Sequence, residues 1–147
     1  MGEMMTKLIR DLSESSGYWG ASFLLACFPD VHLVCDAPIG CFNLVGTAVL
    51  DYTDSIPHMA NMTPTVLREQ EITMLGSGGA VQRTLHNLAE RGISTGKQVI
   101  VISTAPAEQV GSHHTDLLAR IAPGVRFYQS HSLEEEEWAG RDRCLSR

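Results

Sequence analysis

A single cysteine, Cys41, stands directly after a Pro-Ile-Gly turn, where an apolar segment of the chain ends and a helical pattern begins. In open α/β sheets, ligands bind at this edge, beyond the carboxyl ends of the strands. Free backbone N–H groups at a helix start favour anions, so they would lower the pKa of the Cys41 thiol and hold a thiolate. Gly40 leaves the backbone open to a large group. The residues therefore indicate either a thiolate ligand for a metal group or a small buried hydrophobe.

The number of thiols limits what Cys41 can bind within this chain. An iron–sulfur cluster typically takes four ligands, as zinc does, so other chains must supply most of them if Cys41 holds a cluster. Cys27 falls in an apolar helical pattern and Cys35 in an apolar strand, and we expect both in the core. Cys144 lies in a polar tail, where we expect an unengaged thiol. Without a C-x-x-C pair, the cysteine pattern favours a reducing, cytoplasmic setting.

Three other motifs have ordinary structural interpretations. The segment from Gly92 to Gln98 is similar to a phosphate-binding loop, but it has one residue too few between its glycines and leads into a strand, so we expect a β-turn. His113 and His114 are adjacent and lack further ligands at a metal spacing, so we expect them to be surface or core histidines. The segment from Gly76 to Gly79 precedes a helix, and we expect a turn there, with anion binding at the helix start as the alternative.

The composition is that of an ordinary globular protein, with 44% hydrophobic and 19% charged residues in a chain of 147. Eleven Lys and Arg against seventeen Asp and Glu give a net charge of −6, which argues against a nucleic-acid partner. The longest apolar stretches are far shorter than the roughly 20 residues that a membrane-spanning helix needs. The sequence therefore predicts neither a nucleic-acid-binding protein nor a membrane span.

Helical and strand patterns alternate along the chain. Helical patterns cover residues 21–28, 41–52, 80–91 and 107–121, with a final helix from about Leu133. Strand patterns cover residues 31–35, 61–67, 98–103 and 125–129, and the third of these is a continuous β-branched run typical of a buried parallel strand. The alternation predicts one three-layer, Rossmann-like α/β domain over residues 1–147, with a mostly parallel sheet and a loosely ordered N-terminal extension over residues 1–16.

Four segments, taken in order, carry a family resemblance. They are Gly-Tyr-Trp-Gly-Ala at 17–21, Asp-Ala-Pro-Ile-Gly-Cys-x-Asn-Leu at 36–44, Val-Leu-Asp-Tyr-Thr-Asp-Ser-Ile-Pro at 49–57, and Ala-Glu-x-Val-Gly at 107–111. A Gly-Cys turn alone would be a weak signal, but the ordered set is fairly specific. Over about residues 17–138 the chain resembles the nitrogenase component 1 superfamily, and within it the Z-type subunits of chlorophyllide a reductases.

The resemblance implies an enzyme that reduces the C7=C8 double bond of chlorophyllide a in bacteriochlorophyll synthesis. It implies a 4Fe-4S cluster shared with a Y-type subunit in a heterotetramer, and electrons delivered by a separate X-type iron–sulfur reductase that hydrolyses ATP. By position, Cys41 is the cluster ligand of the Z-type side, and Pro38 and Gly40 belong to the cofactor-binding turn. Ala105 stands where cysteine-rich relatives carry a cluster cysteine, and the region from Gly17 to Gly20 has none.

The sequence also departs from the family pattern. The resemblance implies much longer subunits, so we expect a fragment, a split gene product or a reduced relative. Two alternatives therefore stay open: a non-catalytic binding or assembly module, and a reductase for another tetrapyrrole or a small sulfur compound. No residue is a clear proton donor, and His32, His58 and His113 are unranked candidates. Tyr18 and Trp19 are candidates to pack beside a cluster or a planar macrocycle, or else ordinary core aromatics.

Overall fold

The computed structural model describes residues 17–52, 58–132 and 144–146. The helices of this part of the chain are α1 (Gly17–Ala26), α2 (Ile39–Tyr52), α3 (Gly78–Glu90), α4 (Ala105–Gln109) and α5 (Thr115–Ile121). The strands are β1 (Val31–Asp36), β2 (Met62–Pro64), β3 (Gln98–Ser103) and β4 (Arg126–Tyr128). A 3₁₀ turn (His58–Asn61) and a π-helical turn (Glu71–Leu75) complete the described elements. The predicted extension over residues 1–16 and the predicted helix from Leu133 lie outside them.

The four strands form one parallel sheet in the order β2-β1-β3-β4. β1 and β3 are central and pair along their whole length, from Val31 opposite Gln98 to Asp36 opposite Ser103. Because all strands point the same way, the residues at their carboxyl ends meet along one edge of the sheet. Asp36 and Ser103 therefore lie side by side at that edge, next to the turn that carries Cys41.

Helices cover both faces of the sheet. On one face, α1 and α2 pack against alternate strand side chains in a core of Tyr18, Ala21, Ala26, Leu33, Cys35, Ala37, Phe42, Val45, Met62, Ile102 and Tyr128. On the other face, α3 and α5 pack against the intervening side chains in a core of Val34, Val81, Leu88, Val101 and Leu118. The two cores follow the period-two alternation of the strands. This arrangement confirms the predicted three-layer, Rossmann-like α/β fold.

Several predicted boundaries were wrong, and the first helix begins at Gly17, four residues before its predicted start. The helical pattern over 107–121 is two helices, because the chain breaks after Gln109 and Gly111 takes a left-handed conformation with φ of 71°. The first helix ends at Ala26, two residues short of the predicted end. The predicted strand over 61–67 narrows to Met62–Pro64, although backbone bonds from Thr65 and Leu67 to β1 and its following turn continue the pairing.

The helices are short, and the longest of them among the described residues, α2, has 14 residues. Within the described residues, none is both long enough and apolar enough to cross a bilayer.

Candidate functional site

Cys41 lies in the first turn of α2, directly beyond the carboxyl end of the central strand β1. The strand ends at Asp36, the helix begins at Ile39, and the amide of Phe42 closes the first turn on the carbonyl of Pro38 at 3.2 Å. Proline fits this position because its fixed φ suits a helix start and it has no N–H to leave unpaired. The first turn of a helix is also where negative charge is favoured. Cys41 is half-buried and packs against the core beneath α2.

Gly40 is exposed, and no packing within the described chain accounts for a glycine there. Its φ is not positive, and a Cβ placed on it would meet no atom within 4 Å. Any residue could therefore occupy position 40 as far as the described residues are concerned. A glycine next to Cys41 is explained if a bulky group from outside lies against this backbone.

Beneath the turn, the hydroxyl groups of Tyr18 and Ser22 are buried and have no hydrogen-bond partner of good geometry among the described residues. Burial, together with the neighbouring thiols of Cys35 and Cys41, raises the pKa of Tyr18 well above its usual value. The phenol is therefore neutral and keeps an O–H to donate close to the two sulfur atoms. Trp19 is half-buried and packs edge-on against Phe23, with ring centroids 5.8 Å apart.

The remaining cysteines occupy three different environments. Cys35 is fully buried, as expected, and burial raises the pKa of its thiol to about 12, so it stays protonated at neutral pH. Cys27 is exposed beyond the end of α1, and its thiol contacts the carbonyl of Phe23 at 3.2 Å; its predicted place in the core is wrong. Cys144 is half-buried against the α1 and α2 core, so the expectation of an unengaged thiol is also wrong.

An exposed apolar surface surrounds Cys41. Ile39 is 48% exposed and Leu44 is 64% exposed, and both lie within one helical turn of Cys41. Asn43, between them, is also exposed. Contiguous exposed apolar side chains are typical of a surface that another chain covers.

A buried polar network lies at the same sheet edge, centred on Asp36, whose side chain is 0% exposed. Thr65 donates to one carboxylate oxygen at 3.0 Å, and Ser77 donates to the other at 2.5 Å. His114 Nε2 lies 2.9 Å from both that second oxygen and the hydroxyl of Ser77. Ser112 joins through Ser77 at 2.5 Å. Because a carboxylate only accepts hydrogen bonds, Nε2 of His114 carries a hydrogen in this arrangement.

The three residue types of this network are those of a serine hydrolase, but their geometry is different. In a catalytic triad, the imidazole contacts the acid through one nitrogen and the serine through the other. Here His114 contacts Asp36 and Ser77 through the same nitrogen, and Ser77 is only 1% exposed. The network instead ties together the loops that follow β1 and precede α3 and α5. The main-chain oxygen of Asp36 also accepts a bond from Thr104 at 2.7 Å, which adds the loop after β3.

Sequence reasoning missed this network, although it singled out three of its segments separately. The turn beginning at Asp36, the turn containing Ser77 and the pair His113–His114 each received its own interpretation. His113 is exposed and His114 is buried, so both agree with the expected surface or core placement. A usable signal was present, because a parallel sheet brings the loops after its strands and before its helices to one edge.

A second carboxylate, Glu108, fixes the chain after β4. Its Oε1 accepts bonds from the hydroxyls of Ser103 at 2.6 Å and Ser130 at 3.1 Å, and its Oε2 accepts the amide of Ser132 at 2.9 Å. The Ser130 amide in turn donates to Ser103 at 2.9 Å. These bonds satisfy polar groups that the sheet edge would otherwise leave unpaired.

The two candidate proton donors whose side chains the structure describes, His32 and His113, have other partners. His32 is buried on the opposite side of β1 from Cys35, its Nε2 lies 2.9 Å from the hydroxyl of Thr63, and burial with the nearby Lys97 lowers its pKa. His113 packs edge-on against Phe127. The side chain of His58 lies outside the described residues. Among the described residues, no three His, Cys, Asp or Glu side chains form a group that could hold a metal ion.

An all-parallel sheet covered by helices on both faces, with the Cys41 thiol just beyond the carboxyl end of a central strand, defines a Rossmann-like domain. The chain belongs to the nitrogenase component 1 type oxidoreductase family, whose sequence model matches residues 16–147. This match confirms the superfamily that the four segments indicated. Proteins of this family typically bind iron–sulfur clusters and work in multi-subunit assemblies.

Proposed function

We propose that this chain is the Z-type, single-ligand side of a nitrogenase-like reductase that acts on chlorophyllide a. In this proposal, Cys41 holds one iron of a 4Fe-4S cluster, and a cysteine-rich Y-type partner supplies the remaining ligands. The observation that carries the proposal is the Cys41 turn: a half-buried thiol in the first turn of α2, beside a glycine that its own chain leaves unpacked. In a protein of this family, such a turn has room for a cluster that another chain also binds.

The residues at the turn fit such a cluster. Cys41 is its thiolate ligand, and the open backbone at Gly40 gives the cluster room. The buried hydroxyl of Tyr18 lies beside the thiol of Cys35 and within electrostatic range of Cys41, so in this proposal it is a candidate hydrogen-bond donor toward sulfur. Donors to cluster sulfur atoms and exclusion of solvent are the main means by which a protein sets a cluster's potential. When bound, the cluster supplies one-electron transfer to the substrate.

The chain needs a partner to complete the site. A single thiolate is too few for a cluster, and among the described residues no three His, Cys, Asp or Glu side chains form a group that could hold a metal ion. The thiol of Cys35 is buried and protonated. The exposed Ile39 and Leu44 provide an apolar surface that a partner subunit would cover. These two features together support assembly with a partner subunit. The family resemblance, in turn, is the basis for proposing that a separate ATP-hydrolysing X-type reductase delivers the electrons in the cytoplasm.

The substrate assignment rests on the four segments at 17–21, 36–44, 49–57 and 107–111. In order and spacing they resemble the chlorophyllide a reductase branch of the superfamily, and this resemblance is what supports the assignment. We infer that the reaction is reduction of the C7=C8 bond, which takes two electrons and two protons. The phenol of Tyr18 is a poor proton source in this proposal, since burial and the neighbouring thiols raise its pKa well above the usual value.

The direct test is turnover by the assembled enzyme. The chain is co-expressed anaerobically with a Y-type subunit and mixed with an X-type reductase, ATP and chlorophyllide a. The reaction is followed by the absorbance change of the macrocycle. We expect turnover with the wild type and with Cys27→Ser, whose thiol is exposed and distant from the turn, and none with Cys41→Ser. An iron-loaded complex that reduces a different tetrapyrrole or a small sulfur compound would overturn the substrate assignment. A complex without iron would favour the assembly module.

A further inference from the structure

A groove on the opposite side of β1 from α2 combines three arginines with the free edge of the sheet. It has a volume of about 410 Å³, within the range of small-molecule sites. One wall is the edge segment from Thr63 to Val66, and the other is the face of α3 that presents Arg83, Asn87 and Arg91 at four-residue intervals. Arg68 lies at the end between the two walls. The groove shares no residue with the Cys41 turn.

The arginines of the groove are mostly unneutralised. Glu71 is buried and pairs with Arg83, while its second oxygen accepts the amide of Arg68 at 3.0 Å. Burial by itself would raise the pKa of Glu71, but the bonds from Arg68 and Arg83 have the larger combined effect and lower it. The carboxylate is therefore charged. Within the described part of the chain, neither Arg68 nor Arg91 has a carboxylate at ion-pair distance. The groove therefore holds a net positive charge in a chain whose net charge is −6.

The backbone is irregular at Val66, on one wall of the groove, and again at Glu71, whose carboxylate binds Arg83 and Arg68 of the lining. Val66 has φ of 54°, a left-handed conformation that is a genuine outlier for a β-branched residue. Bonds from Thr65 to Cys35 at 2.9 Å and from Leu67 to Ala37 at 3.0 Å hold it in place on both sides. Glu71 opens a π-helical turn, an element that occurs frequently at functional sites. Strain of this kind persists where the surrounding structure imposes it, and it concentrates at ligand sites.

The geometry points to a binding site for a small oxyanion, a phosphate or polycarboxylate group, held by Arg68, Arg83 and Arg91 against the edge of β2. Arginine suits this ligand because its planar fork of donors matches carboxylate and phosphate oxygens. Glu71 acts as a positioning residue that fixes the guanidinium of Arg83. Asn87 and Thr63 add neutral polar groups to the lining. The inference is independent of the proposed cluster function.

The test is calorimetric titration of the full chain, at constant ionic strength, with inorganic phosphate in one arm and citrate in the other. Binding in either arm supports the site, and the stronger arm identifies the ligand chemistry. We expect the double variant Arg68→Gln/Arg91→Gln to bind at least about tenfold more weakly, because each charge-assisted pair is worth roughly a factor of ten. The matched control, Arg120→Gln on α5, removes one exposed charge outside the groove and should leave the affinity within about twofold.

A second variant keeps the inference testable if the double variant does not fold. Glu71→Gln keeps all three arginines but frees Arg83, and we expect weaker binding with an unchanged circular dichroism spectrum. Absence of binding by both phosphate and citrate at millimolar concentration would overturn the inference, as would an equal loss in Arg120→Gln. Binding of a hexaglutamate peptide without binding of either small anion would also overturn it, since the groove would then be a protein-docking surface.

Discussion

Substitution of Asp36 by alanine should cost this chain a large part of its stability. The carboxylate is fully buried and receives side-chain bonds from Thr65, Ser77 and His114. Asp36→Ala leaves these polar groups buried without their acceptor, and each such group costs about 1–3 kcal/mol. The groups can re-pair in part, so we expect a net loss of about 3–5 kcal/mol, in the lower part of the range for three such groups. That is a large fraction of the roughly 5–15 kcal/mol that holds a typical domain folded.

Urea unfolding followed by circular dichroism measures this loss, with the slope of the transition checked for constancy. Asp30→Ala is the matched control because Asp30 is exposed, and its effect should stay within about 0.5 kcal/mol. Asp36→Asn keeps the shape and one acceptor oxygen, so it should cost less than Asp36→Ala and provides a measurable variant if the alanine form does not fold. A loss below about 1 kcal/mol for Asp36→Ala would refute the interpretation that this network holds the loops at the sheet edge.

Three further predictions follow from individual residues. The pKa of Glu71 is lowered in the folded state, so the stability it contributes is present above the unfolded pKa of about 4.3 and is lost as pH falls through the folded value. Glu71→Gln should therefore lower the free energy of unfolding at pH 7. The difference between wild type and variant should shrink in urea unfolding at acid pH. Because its thiol is fully buried and has a pKa of about 12, Cys35 should resist iodoacetamide at pH 8, whereas the exposed Cys27 should react. Peptide mass spectrometry measures both, and rapid labelling of Cys35 would contradict its buried position. Val66→Asn should raise the free energy of unfolding, measured in urea, by about 1 kcal/mol because asparagine tolerates the left-handed backbone better than valine. A lower free energy of unfolding in this variant would contradict the interpretation that Val66 is strained.

Local patterns predicted the elements well because their causes are local. The β-branched run at 98–103 forms β3 with the predicted ends, and the amphipathic pattern at 80–91 forms α3 within two residues of the predicted bounds. The split between α4 and α5 was missed because apolar periodicity continues across it. There, Gly111 can adopt the left-handed backbone that ends the first helix, and buried His114 bonds to Asp36 instead of continuing the helix.

Part of the candidate site was predictable from local sequence, and part was not. The turn at Cys41 was predictable because a proline, a glycine and a cysteine stand within four residues at the end of an apolar strand. The pairing of Asp36 with His114 joins residues 78 apart along the chain, and only the parallel order of β1 and β3 brings them together. The exposure of Cys27 depends on α1 ending at Ala26, which no capping residue in the sequence marks. Long-range contacts and helix ends were therefore the limits of prediction.

The central claim is that Cys41 is one ligand of a cluster shared with another subunit. The measurement that tests it is iron and acid-labile sulfide content, with electron paramagnetic resonance after dithionite reduction, on the chain co-purified anaerobically with a Y-type partner. We predict about four irons and a reducible signal per pair of subunits in the wild type and in Cys27→Ala, and loss of both in Cys41→Ala with the complex still intact by gel filtration. A full iron content with an unchanged signal in Cys41→Ala would contradict the account.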